Sequence, residues 1–132
     1  MKTQAENSKT AVWTGRTLSG LAIAMLLLDG VMKLFTPAPV VEGMVRLGYP
    51  VSESVGIGIV LLGCVALYAI PRTAFLGAIL LTGYLGGAVA THVRVSDPLF
   101  SHVLAPIYFA TVIWAGLFLR NQKLRTLVPL YN

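Results

Sequence analysis

Four stretches of this 132-residue chain, 17–35, 54–70, 74–92 and 98–119, are apolar enough to lie inside a membrane, and they take up most of its length. A helix needs about 20 mostly apolar residues to cross the roughly 30 Å hydrocarbon core of a bilayer. Each stretch is near that length, the second being short enough that it must stand upright or borrow its flanks. The expected fold class is therefore an all-α membrane protein. Its expected form is a four-helix transmembrane bundle running up-down-up-down.

Composition bears on what is left for a soluble part. Apolar residues make up 56% of the chain and charged residues 11%, with a mean hydropathy of +0.78, whereas a soluble domain carries about 25% charged residues. One domain is expected at this length: a disordered cytoplasmic tail over 1–12, then a transmembrane domain over 13–129.

The net charge of +5 would point to nucleic acid in a soluble protein, but its distribution reads better as topology. With four spans the chain ends share one side. That side carries Lys2, Lys9, Arg16, Arg72, Arg120, Lys123 and Arg125, against Lys33, Arg46 and Arg94 on the other. The positive-inside rule then puts both termini in the cytoplasm, and nucleic acid is not an expected partner. A cleaved signal peptide fits poorly. The first apolar run outlasts an h-region of about 7–15 residues and has no A-x-A-like site after it.

Short connections constrain the packing. Pro71, Arg72 and Thr73 join the second and third helices as antiparallel neighbours. Asp97 and Pro98 read as the N-cap and first residue of the fourth helix. In the longer first outer loop, Val40, Val41, Met44 and Leu47 recur at helical spacing, so a short interfacial helix is expected over 39–48, ended by Gly48. Trp13, Tyr68, Phe75, Trp114, Phe118 and Tyr131 fall near the inner boundary. Phe35, Tyr49 and Phe100 fall near the outer one, as an aromatic belt would.

Gly83, Gly86, Gly87 and Ala90 form small-xxx-small pairs on the third helix, which is thereby expected to pack at the centre of the bundle. A similar stripe of Glu53, Gly56, Val60 and Gly63 runs along the second. Polar residues cluster at one depth: Asp29 and Lys33 one i,i+4 step apart, Glu53 opening the second helix, His92 and Arg94 closing the third, and His102 early in the fourth. Asp29 lies about 9 Å short of its helix end at 1.5 Å per residue. An ionisable group at that depth takes a partner or faces a cavity. Lys33 and Arg94 are the expected partners of Asp29. His92, two residues from Arg94, is on another face. The cluster reads as a structural ion pair, as a site for a polar headgroup, quinone ring or small anion, or as cations reaching for the interface.

Two histidines with no carboxylate at ligand spacing do not make a zinc site, and a haem between them has no other support. Cys64 has no partner thiol for a dithiol cycle. No phosphate loop, nucleophile elbow or HExxH pattern occurs.

The run from Pro71 to Arg94, with its Gly83-Tyr84-Leu85-Gly86-Gly87 core and closing Thr91-His92-Val93-Arg94, resembles the signature stretch of DoxX-like membrane proteins. Asp29-Gly30-Val31-Met32-Lys33-Leu34 and Trp114-Ala115-Gly116-Leu117-Phe118-Leu119-Arg120 are similar to the same family, so the likeness covers nearly everything outside the tail. The resemblance implies a bacterial four-helix protein of the inner membrane. The family takes its name from a subunit of a thiosulfate:quinone oxidoreductase, although most DoxX-like members have no established activity.

The chain is accordingly expected not to be an enzyme on its own. The leaning is to a membrane component of a redox or quinone-linked system, with quinone as the one cofactor considered. The alternatives are a small carrier or lipid-binding module built on Asp29, and a scaffold or assembly partner. Besides the bilayer, the expected partners are a second copy of the chain or a redox subunit.

Overall fold

The computed structural model describes residues 4–128. Lys2 and Tyr131, and the ends of the expected tail and transmembrane domain at 1–3 and 129, lie outside the described residues. The described chain is all-helical, with no strand: α1 (Gln4–Phe35), α2 (Ala38–Leu47), α3 (Glu53–Ala69), α4 (Ala74–Arg94), a π-helical turn (Leu99–Val103), α5 (Ala105–Arg120) and α6 (Gln122–Leu127). Three segments are long and apolar enough to cross a membrane: Ser8–Phe35, Ala74–Arg94 and Leu99–Arg120. Glu53–Ala69 is a shorter apolar helix.

Helix α1 starts well before the expected position 17, so the tail expected to be disordered is helical from Gln4 onward. Helix propagation adds one hydrogen bond per residue once a nucleus exists. Nothing upstream of the apolar run stops it, since no proline occurs before Pro37. Pro37 also sets the other end, because the residue before a proline is pushed out of the α region. Thr36 leaves the helix with φ 47°.

Helix α2 sits where the loop pattern predicts. Its end is a Schellman closure: Gly48 adopts φ 79°, its N–H bonds the Val45 carbonyl, and Tyr49 N–H bonds the Met44 carbonyl at 3.0 Å. At the end of α4, Ser96 takes the left-handed conformation with φ 57°, and Asp97 N–H returns to the His92 carbonyl at 3.1 Å.

The expected fourth helix over 98–119 is broken. Pro106 lies inside it and has no N–H to give the carbonyl one turn back. The chain runs through π-type bonds, Val103 N–H to Pro98 O at 3.2 Å and Leu104 N–H to Leu99 O at 2.9 Å, before α5 begins. Asp97 makes no cap bond there.

Helix α1 packs on α3 and α5, and α4 packs on the same two. Their shared core holds Ala22, Leu26, Leu61, Val65, Tyr68, Ala78, Leu81, Leu85, Ile113 and Leu117. Tyr68, expected in an aromatic belt, is fully buried. Its hydroxyl donates to the Ile113 carbonyl at 2.7 Å and so accepts from Ser19 at 2.8 Å, joining α1, α3 and α5. Arg120 stacks on the Tyr68 ring with its guanidinium carbon 4.9 Å from the centroid.

Two glycine crossings set the closest approaches. A Cβ on Gly77 would lie 2.2 Å from the Tyr68 backbone nitrogen, and one on Gly15 would lie 2.6 Å from the Arg120 nitrogen, beside Gly116. The stripe expected to pack does not. A Cβ on Gly83, Gly86 or Gly87 meets nothing within 4 Å, and Ala90 is exposed. Helix α4 packs through its other face, Ala74, Gly77, Ala78, Leu81 and Leu85. Gly56 and Gly63 of the expected α3 stripe are likewise open, whereas a Cβ on Gly58 between them would lie 2.9 Å from the Gly30 carbonyl oxygen of α1. Large side chains such as Leu28, Ile59, Val60 and Phe100 point outward.

Candidate functional site

A cavity of about 590 Å³ opens at the α2 end of the molecule, among α1, α2, α3, α4 and the start of α5. Its size falls within the roughly 300–1,000 Å³ of small-molecule sites. Met25, Leu26, Met44, Leu47, Ile57, Leu85 and Phe109 give it an apolar body. Asp29, Lys33, Tyr49, Tyr84, Thr91, His92, Ser101 and His102 supply polar groups.

Helical spacing brings Asp29 and Lys33 to the wall together. Lys33 Nζ donates to Asp29 Oδ1 at 2.6 Å, with the Lys33 side chain mostly buried and Asp29 half-exposed. Because each charge has its partner one turn away, the wall carries a neutralised pair rather than a free carboxylate. Across the cavity, the His92 and His102 rings meet edge to face at 5.8 Å. His102 Nδ1 is 2.7 Å from the Ser101 hydroxyl, and His92 Nδ1 is bound to Asp97.

Asp97 is the group that local reading missed. The turn through Ser96 carries its side chain back to His92, where Oδ2 meets Nδ1 while Oδ1 accepts from Arg46 of α2. The hydrogen bond from His92 holds its carboxyl below the usual carboxylate range, helped by the hydrogen bond and charge of Arg46 and opposed by burial. With Asp97 ionised, Nδ1 of His92 is the donor in this contact, and the other ring nitrogen makes no hydrogen bond among the described residues.

Two further contacts hold α2 against α4. Arg94 donates to the Leu47 carbonyl and stands over Gly48. Tyr49 donates to Thr91 Oγ1 at 3.0 Å, since the Thr91 proton already goes to the Gly87 carbonyl. Arg94 is therefore a cap for the last turn of α2 and not a partner of Asp29. His92, expected to point elsewhere, lines the cavity beside Thr91, while Arg94 does not. Glu53 is exposed in the first turn of α3, forms no ion pair among the described residues and does not line the cavity. Of the six expected residues, the structure gathers Asp29, Lys33, His92 and His102, and separates Glu53 and Arg94. Opposite charges in separate loops were the one signal for Arg46 and Asp97. Tyr49 and Tyr84 gave none beyond being aromatic.

Among the described residues no three His, Cys, Asp or Glu side chains gather as metal ligands. Neither curated proteins nor solved structures give a match to this chain. The DoxX-like family model matches residues 17–116, which takes in every cavity-lining residue named above. The chain belongs to the DoxX-like family.

Proposed function

We propose that the cavity binds a small uncharged ring with hydrogen-bonding oxygens, a quinone head, and that the protein serves as a membrane component of a quinone-linked redox system. In this reading α1, α3, α4 and α5 cross a bacterial inner membrane as an up-down-up-down bundle formed by 13–129. Both termini are cytoplasmic, and α2 lies on the outer surface.

The observation that carries the reading is the cavity's chemistry. It has an apolar body, a His92 ring nitrogen that the Asp97 contact leaves unbonded, the hydroxyls of Tyr84 and Ser101, and a charge balance already closed by Lys33 on Asp29. A net ionic ligand would find no uncompensated partner on these walls, whereas a neutral ring with carbonyl or hydroxyl oxygens would find donors and acceptors. The same Asp29–Lys33 pair disfavours a carrier cycle, which needs a carboxylate free to exchange its proton or cargo.

Equilibrium dialysis of a tail-less benzoquinone against the protein in lipid discs tests the binding. Saturable uptake that His92→Ala and His102→Ala weaken, and Glu53→Gln does not, is expected. Uptake that never saturates, or that Glu53→Gln weakens equally, refutes the site. Labelling of Lys123→Cys from outside intact cells would overturn the orientation.

A further inference from the structure

The open glycine stripe of α4 has no role in packing, and it borders a second hollow. A groove of about 380 Å³ runs between α4 and α5 on the outer face of the molecule, with Gly86, Val89, Ile107, Ala110 and Trp114 among its walls. Leu85 and Pro106 line both this groove and the polar cavity, so the two share a boundary of one side chain from each helix. On the α5 side that boundary lies just after the π turn, where Pro106 leaves the backbone ladder incomplete.

The groove is apolar in effect as well as in composition. Its two hydroxyls are spent internally: Thr82 donates to the Ala78 carbonyl and accepts from Trp114 Nε1, both at 2.7 Å, and Thr111 donates to the Ile107 carbonyl at 2.9 Å. No polar atom there awaits a ligand. Gly86 keeps the floor low, since any side chain at that position would project into space that is now empty.

We propose that this groove holds the single apolar tail of the molecule whose head occupies the cavity, which makes the ligand a lipid-tailed quinone reaching its site sideways from the bilayer between α4 and α5. The inference rests on the quinone-head reading above. The wall shared with the polar cavity at Leu85 and Pro106 is what separates this occupant from bulk lipid lying on an unrelated surface. Moving the tail from lipid into the groove brings no hydrophobic gain, so the fit is one of packing contacts. That is why the loss of a side chain at position 86 matters.

The test uses a benzoquinone whose alkyl tail ends in a diazirine, photolysed with the full chain in lipid discs, with labelled peptides mapped by mass spectrometry. Labels confined to the 82–89 and 107–114 segments and removed by excess tail-less benzoquinone are expected. The Gly86→Leu variant should lose those labels while still binding the tail-less ring. It should fold, because nothing lies within 4 Å of its new Cβ. Labels spread over Leu28, Ile59 and Val60 as well, or groove labels that survive in Gly86→Leu, would overturn the tail route while saturable binding of the tail-less ring left the head site standing. If neither quinone saturates the protein, both readings fall together.

Discussion

Replacing Gly77 by alanine should be the most damaging single-methyl change on α4. The added Cβ would stand 2.2 Å from the Tyr68 nitrogen, 2.5 Å from its Cα and 2.7 Å from the Leu67 carbonyl carbon, whereas ordinary contact begins at 3.4 Å. All three atoms are backbone, so no rotamer change relieves the clash and the two helices must move apart. Separation would loosen Leu81 and Ala78 against α3 and pull Tyr68 off the Ile113 carbonyl. Overpacking costs about 1–3 kcal/mol where side chains can give, and here the upper end, about 3 kcal/mol, is expected. The matched change Gly83→Ala adds its methyl to open space. It should be neutral or stabilising by up to about 1 kcal/mol, through helix propensity. Unfolding in mixed micelles with rising SDS, followed by far-UV circular dichroism, compares the pair directly. A Gly77→Ala protein as stable as wild type, or a Gly83→Ala protein less stable than Gly77→Ala, would refute the assignment of the packed and open faces.

Tyr68→Phe removes the hydroxyl that joins Ser19 to Ile113 and should cost about 0.6–1.7 kcal/mol, between the average and the maximum for hydrogen bonds between membrane helices, in the same assay. Asp29→Asn should destabilise by leaving Lys33 without its partner, and Asp29→Asn with Lys33→Met should recover most of the loss; a double variant worse than the single one contradicts the pairing. The Asp97 carboxyl is held below its ordinary value of 3.8, so its contribution is complete above that pH and is lost as the pH falls through the depressed value of the folded state. Protection of the α2 amides, taken as exchange relative to the intrinsic rate at each pH, should therefore fall in acid below about pH 4, and Asp97→Asn should leave it low and flat across that range.

The apolar helices were legible because length and hydropathy alone identify a span, and α2 was legible because Gly48 follows a periodic run. The polar site was half legible. Asp29 and Lys33 meet through helical spacing, which a sequence states outright. Arg94 and Asp97 are placed by their turns instead: the left-handed Ser96 sends Asp97 back onto His92, and the cap of α2 draws Arg94 away from Asp29. Glycine was misleading for a physical reason. A missing side chain serves equally to admit another helix and to leave a hollow, and density along the chain does not distinguish the two. The crossings fall at Gly15, Gly30, Gly58, Gly77 and Gly116, while the dense run at 83–87 borders open space. Pro106 was the unread sign of the break in the last span.

The contact between α1 and α5 has a consequence for synthesis. The first helix leaves the ribosome long before the last, yet its Ser19 reaches through Tyr68 to a carbonyl of α5, and its Gly15 lies against Gly116 and Arg120. Until α5 has emerged, the face of α1 that carries Gly15 and Ser19 has only lipid or a temporary partner against it, and the Tyr68 hydroxyl has no Ile113 to bond. Helices α1 and α3 can meet early, but the pair must stay open on one side for the rest of translation. A chain stopped before α5 would hold that open face permanently, exposed to quality-control proteases and to any neighbouring helix with glycines of its own.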